Sequence, residues 1–179
     1  DDYSDDRGVI IYVFIAESGF AFREDEEGQG LTIEAAGSGT EIDFVQIIGS
    51  NDDCVEWFGG AADASHIICN GVSDDGLDID TGYVGFIQYA IIRIGAQEGA
   101  RGIESDSGSS SNFDLSPRSA PNIANVTVLG NSGAVDGDAT IGALHREGIA
   151  PKVYRAVYSA APAADGTFEA GCLDVDNQL

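Results

Sequence analysis

Four aspartates stand in two adjacent pairs, Asp52-Asp53 and Asp74-Asp75, the second 22 residues after the first. Each pair lies in a run of corner-forming residues, Asn51-Asp52-Asp53-Cys54 and Ser73-Asp74-Asp75-Gly76. If one turn of chain separates them, four carboxylates meet. Two chemistries use such a cluster. A hard cation such as calcium takes six to eight oxygens at about 2.3–2.6 Å, and the carbonyls of Asn51 and Ser73 would add to the carboxylates. Paired acids also hydrolyse glycosidic bonds, an inverting pair standing roughly 6.5–9.5 Å apart; Asp53 and Asp75 would be that catalytic pair. The plain alternative is corner chemistry, because Asp and Asn side chains bond nearby backbone N–H groups in turns.

The elements that must position these acids repeat with the same period. An apolar residue followed by an acid recurs as Ile33-Glu34, Val55-Glu56, Leu77-Asp78, Ile103-Glu104 and Leu173-Asp174. Leu144-His145 takes that place once, with Arg146 falling where an inward residue should sit. Alternation with period 2 predicts strands with one buried face. A second strand precedes each couplet: Val45-Gln46-Ile47, Ile67-Ile68-Cys69 and Tyr89-Ala90-Ile91 fall 22 apart, and Val9 to Ile15, Ile123 to Val128 and Val153 to Val157 serve the other turns. Self-similarity at about 20–25 residues marks a solenoid, and no long amphipathic helix competes. The expected fold is all-β: a right-handed parallel β-helix of about six turns. It forms one domain over 1–179, expected to belong to a longer solenoid because the strand at Val9 opens without a cap.

In such a coil equivalent residues stack about 4.8 Å apart. Glu34, Glu56, Asp78 and Glu104 would form one outward column, and Asp80 and Asp106 would begin a second. Like charges that close repel by about 1 kcal/mol in water and several times more at lower dielectric. The columns call for cations, protons or fanned side chains, a solvated face being the alternative. The candidate metal ligands are therefore Asp52, Asp53, Asp74, Asp75, Glu56, Asp78, Asp80, Glu104 and Asp106, with calcium the expected ion. Trp57 and Tyr83, with Phe58 and Phe86, offer a carbohydrate-binding platform beside the acids, against core packing. Arg101 suits a lyase base or an ion pair with Glu98 or Glu104. His66 and His145 are isolated from any cysteine or second histidine.

Composition narrows the partners. The chain carries 31 Asp+Glu against 8 Lys+Arg, a net charge of −23. Nucleic acid is excluded because its phosphates would be repelled, and anionic membranes for the same reason. No apolar run is long enough for a membrane span. Anionic uronate polymers are repelled unless calcium bridges them, whereas neutral polysaccharides carry no such penalty. Lysine occurs only as Lys152; low lysine with abundant Asp, Gly and Ala suits a salty or calcium-rich exterior, and equally a halophile's cytoplasm. The absence of methionine fits a processed chain or a piece of a longer one.

Three cysteines show no CxxC or zinc spacing. Buried free thiols are the expectation, with Cys69 inward and Cys54 and Cys172 at one turn corner. Residues 1–8 read as a loose lead-in. Phe20 to Phe22 and Arg23 to Glu27 form an excursion, Ser107 to Pro121 a Ser-rich surface loop, and Gly130 to Asp138 a second loop. Asn125-Val126-Thr127 is a glycosylation sequon inside a predicted strand and carries little weight.

GSGTEIDFVQIIGSNDDCVEWFGG, SDDGLDID, RGIESD, HREG and CLDVD together resemble a family of secreted bacterial right-handed β-helix proteins, pectate-lyase-like solenoids of the cell surface. The resemblance covers nearly the whole chain. It implies the β-helix fold and an extracellular setting, without a settled activity. Asn51-Asp52-Asp53-Cys54-Val55 is similar, more weakly, to the acid phrase of polygalacturonase-type glycoside hydrolases. Here that phrase comes first and the second acid later, Ala100-Arg101-Gly102 stands where a glycine-flanked histidine belongs, and the basic substrate clamp is missing.

The expected function is therefore a non-catalytic extracellular acidic β-helix with a structural, adhesion or assembly role, binding calcium. The first alternative is a polysaccharide-active enzyme, a glycoside hydrolase or lyase using Asp53 and Asp75. The second is a filament-forming subunit, a homo-assembly through exposed end rungs.

Overall fold

The computed structural model describes residues 2–20, 28–96, 101–109, 111–112, 114–133, 140–159, 161, 164, 166 and 171–176. The excursion expected over 21–27, Glu98 and Ala100, and residues 134–138 of the second loop lie outside the described residues. Among the described residues the regular elements are all strands, with β1 (Val9–Ala16), β2 (Leu31–Glu34), β3 (Glu41–Ile48), β4 (Val55–Phe58), β5 (Asp63–Asn70), β6 (Leu77–Asp80) and β7 (Phe86–Arg93). There follow β8 (Ile103–Ser105), β9 (Asn122–Leu129), β10 (Ala143–Arg146), β11 (Lys152–Tyr154), β12 (Val157–Ser159) and β13 (Asp174–Asp176). Every pairing is parallel. The long strands stack as β1-β3-β5-β7-β9-β11, with β12 also on β9, and the short strands as β13-β10-β8-β6-β4-β2. From β1 to β10 the strands of the two sheets alternate along the chain, so each circuit adds one strand to each sheet; the last circuit gives the long-strand sheet two short pieces, β11 and β12, before β13. This is a parallel β-helix, as the period predicted.

The core is a thin column of like on like. Val45, Ile67, Ala90 and Val126 share one inward row, and Ile47, Cys69, Ile92 and Val128 another. From the short strands, Leu31, Val55, Leu77, Ile103 and Ala143 face them, beside Ile33, Trp57, Ile79, Ser105 and His145. Burying one such side chain is worth roughly 1.5–3 kcal/mol, and each residue packs on its own counterparts above and below.

Register departs from expectation in three places. Ile67 pairs with Ala90 rather than Tyr89, because the third circuit is one residue longer. Leu31-Thr32-Ile33-Glu34, not Ile33-Glu34-Ala35-Ala36, aligns with Val55-Glu56-Trp57-Phe58. A slip of two preserves every side chain's face, so alternation cannot detect it. Ile103 pairs with Ala143, so His145 turns inward, Leu144 takes the acid row and Arg146 points outward.

The free-thiol expectation is overturned: Cys54 and Cys69 form a disulfide, with Cα atoms 5.8 Å apart. The 15 residues between them are less than a full circuit, and they bring the end of β5 across the thin core to the corner that precedes β4. In the other circuits the same two positions hold Gly30 against Ile47, Gly76 against Ile92 and Gly102 against Val128. Glycine there makes room for a branched side chain, and two cysteines fill that room with a covalent bond. Cys172, stacked on Gly142 at the same corner, is free and exposed.

Residues 2–8 are not a loose lead-in. Ser38 and Gly39 donate N–H bonds to the carbonyls of Tyr3 and Asp5, and Arg7 N–H donates to Thr40 Oγ1. The Ser-rich loop is anchored at both ends: Ser119 N–H donates to Ser107 Oγ, Gly82 N–H to Ser119 Oγ, and both serines are buried.

Candidate functional site

The outer side of the short-strand sheet carries the acids. β4, β6 and β8 stack Glu56 on Asp78 on Glu104 in direct register. Glu34 does not join them; Thr32 holds that row, and Glu34 lies level with Phe58 and Asp80. The corner before each short strand adds the aspartate pairs. Asp75 N–H donates to Asp53 Oδ1 at 2.8 Å, and Arg101 N–H donates to Asp75 Oδ1 at 2.6 Å. Each corner carboxylate thus caps the backbone of the next corner, which is the turn chemistry anticipated from Asp at these positions.

Two carboxylate triads result. Oxygens of Asp52, Asp53 and Asp74 lie within 4.8 Å of one another, and so do oxygens of Asp53, Glu56 and Asp78. Asp53 belongs to both. Asp53 and Glu56 are buried, and Glu56 Oε2 is buried with no hydrogen-bond partner among the described residues. Burial pushes the Asp53 carboxyl up to about 8, with Asp52, Asp74 and Glu56 adding to the rise against the Asp75 N–H. Burial and the adjacent Asp78 push Glu56 to about 8. Burial and Asp53 raise Asp78 well above the carboxylate range.

The other expected ligands are engaged elsewhere. Glu104 meets Arg101 Nη1 at 3.0 Å and also pairs with Arg146. Asp75 is 2 % exposed, with Arg101 Nη1 4.0 Å away, and burial followed by Glu104 raises it well above its ordinary value. Asp80 accepts from Thr81 N–H at 2.5 Å. Asp106 is pushed to about 9 by burial and by its contact with Asp80. Two arginines therefore neutralise the Glu104 end of the column, whereas Asp53, Glu56 and Asp78 crowd together and are raised toward their protonated forms.

The carbohydrate platform is corrected. Trp57 and Tyr83 are both 0 % exposed, their ring centroids 5.5 Å apart, and Tyr83 donates its hydroxyl to the Ala62 carbonyl. Aromatic residues on the inward row fill the core, and no sugar reaches them. His145 is inward too: its Nδ1 lies 2.5 Å from Ser105 Oγ, and burial lowers its pKa to about 4. Sequence reasoning missed a column of stacked rings on the opposite sheet, Tyr12, Phe44, His66 and Tyr89. The only signal was an aromatic or histidine recurring one circuit apart.

Residues 1–157 match the family model described as Pectate-lyase like beta helix domain. No curated protein and no solved structure matches the chain.

Proposed function

The chain belongs to the pectate-lyase-like β-helix domain family, a polysaccharide-related fold family, and from that premise we propose that it is a non-catalytic extracellular β-helix whose acidic face is completed by calcium. The observation that carries this reading is Asp53, shared by two carboxylate triads, in one of which Glu56 keeps a buried oxygen without a hydrogen-bond partner among the described residues. Buried carboxylates this close need protons or a cation. An all-oxygen donor set suits a hard ion, and the corner carbonyls and water would supply the remaining ligands.

Asp53 and Asp75 are poorly disposed for glycosidic acid–base work. Each gives an oxygen to a backbone N–H of the next corner, and Asp75 is nearly inaccessible. A general acid must come within hydrogen-bond reach of the bond it cleaves. The role that remains is to hold the face of the solenoid rigid. The Cys54–Cys69 disulfide supports an oxidising, extracellular setting, as does membership of the family. No helix among the described residues is long and apolar enough to cross a membrane.

Calcium titration of metal-free protein, followed by thermal melting, tests the proposal. A ligand at a hundredfold excess over its Kd adds about 2.7 kcal/mol to stability, so the melting temperature should climb steadily with calcium. An unchanged melting temperature removes calcium from the molecule's function.

A further inference from the structure

The outer face of the long strands has a geometry of its own. Midway along each long strand one residue has positive φ, namely Tyr12, Phe44, His66, Tyr89 and Asn125, with φ of 52–57°. That conformation is uncommon for bulky residues. Here it recurs at one level and bends every long strand at the same place. The side chains pile into an external column, with ring centroids 4.8 Å apart for Tyr12–Phe44, 4.3 Å for Phe44–His66 and 5.0 Å for His66–Tyr89. His66 Nδ1 lies 2.7 Å from the Asp43 carboxylate, which fixes the middle of the column.

Two residues further along each strand, Gln46, Ile68, Ile91 and Thr127 form a second outward column. A groove of about 570 Å³ runs between the columns across β3, β5, β7 and β9. Its apolar side chains are open to solvent, Tyr89 49 % and Ile91 50 % exposed. Asp, Glu, Lys and Arg make up 22 % of the chain, yet none of them is among the described residues that line this groove.

We infer that this groove binds an uncharged polysaccharide laid along the solenoid axis. Charge makes the first selection. A molecule of net charge −23 repels anionic polymers, cations are drawn to the carboxylates, and the groove's described lining holds no Asp, Glu, Lys or Arg, with His66 engaged by Asp43. Surface chemistry makes the second. Ile68 and Ile91 give a sugar's C–H face an apolar bed, while Gln46, Asn125 and Thr127 supply amide and hydroxyl partners, the mix of apolar wall and few polar groups found in ligand sites. Repeat length makes the third. The rungs recur about every 4.8 Å, close to the advance per sugar of an extended glycan, so polymer and groove keep step. Both faces of Phe44 and of His66 are covered by neighbouring rings in the column, so these two contribute edges to the groove, and the contact does not depend on ring stacking.

Affinity electrophoresis tests this in native gels containing hydroxyethylcellulose, glucomannan, xyloglucan or galactomannan. Retardation is expected in at least one of the four. The double variant Ile68→Thr/Ile91→Thr should weaken it about tenfold while keeping the fold, since threonine is a strand former and adds no charge to two positions that pair across β5 and β7. Gln46→Ala should weaken it less. Asp53→Asn and added chelator should leave it unchanged, which separates this groove from the cation site. Mobility unaltered in all four gels overturns the inference. So does retardation that survives the double variant, or retardation lost with Asp53→Asn, which would move the glycan to the acidic face. Sedimentation revealing a dimer that the double variant dissolves would make the groove a self-interface and overturn it equally.

Discussion

Asp53 concentrates the chemistry of the acidic face. It caps the Asp75 backbone with one oxygen and takes part in both carboxylate triads. Its pKa near 8, like that of Glu56, means the folded protein holds protons that the unfolded chain, titrating near pH 4, has already released. Where the folded state binds more protons, stability falls as pH rises. Metal-free protein should therefore lose melting temperature between about pH 5 and pH 8, the window between the unfolded and folded values. His145 acts in the opposite sense. Its folded pKa of about 4 makes its contribution complete above its unfolded pKa and lost as pH falls from about 6.5 toward 4. Calcium displaces protons from its ligands, so its effect on melting should grow as pH rises. In Asp53→Asn the amide oxygen still accepts from Asp75 N–H but the charge is gone. That variant should melt higher than the parent at pH 8 without metal, and its calcium response should be abolished. A calcium response of undiminished size in Asp53→Asn would mean that the ion sits elsewhere.

The short strands and their corners show what can and cannot be read from the chain. The 22-residue return of Asp-Asp and of the apolar–acid couplet was enough to stack Glu56 on Asp78, because a solenoid fixes neighbours by period. It was not enough to place Glu34 or Leu144: a slip of two leaves all faces unchanged, and a weak copy such as Ala143-Leu144-His145-Arg146 has no alternation strong enough to refuse a slip of one. The ring column escaped notice for another reason. Aromatics in strands read as ordinary strand formers, and nothing in a Tyr or Phe announces a positive φ. The disulfide was legible in principle, since Gly30, Gly76 and Gly102 each face a branched residue where Cys54 faces Cys69. That comparison needs the corrected register. Closing a loop of separation 15 should contribute about 3 kcal/mol, so Cys54→Ala/Cys69→Ala should unfold at distinctly lower denaturant concentration, with an m-value equal to or above the parent's because the unfolded chain is no longer cross-linked. Gly76→Ala should also destabilise, by about 1–3 kcal/mol, because its Cβ would press on Ile92 Cγ2 and the Gly102 carbonyl. A Gly76→Ala protein with parental stability would mean that the corner relaxes more freely than its packing suggests.

Across the whole molecule two faces divide the work of a thin core. One sheet turns its acids outward around Asp53, and the other turns out a nearly charge-free groove. A net charge of −23 on 179 residues acts on both, but unevenly. Exposed acids repel through solvent and are screened once the Debye length, about 30 Å at 0.01 M and about 3 Å at 1 M, falls below their separations. Buried acids are screened far less. Sodium chloride should therefore raise the melting temperature of metal-free protein at pH 8 while leaving most of its fall between pH 5 and pH 8 in place, since that fall belongs to acids raised by burial, Asp53, Glu56, Asp75, Asp78 and Asp106. Calcium should act differently, stabilising at concentrations where sodium chloride of equal ionic strength has no effect, because it enters the triads instead of thinning the field around them. Melting curves over a grid of pH, sodium chloride and calcium separate the two. If matched ionic strength reproduces the whole calcium effect, the acidic face is a solvated surface and the ion has no seat in it.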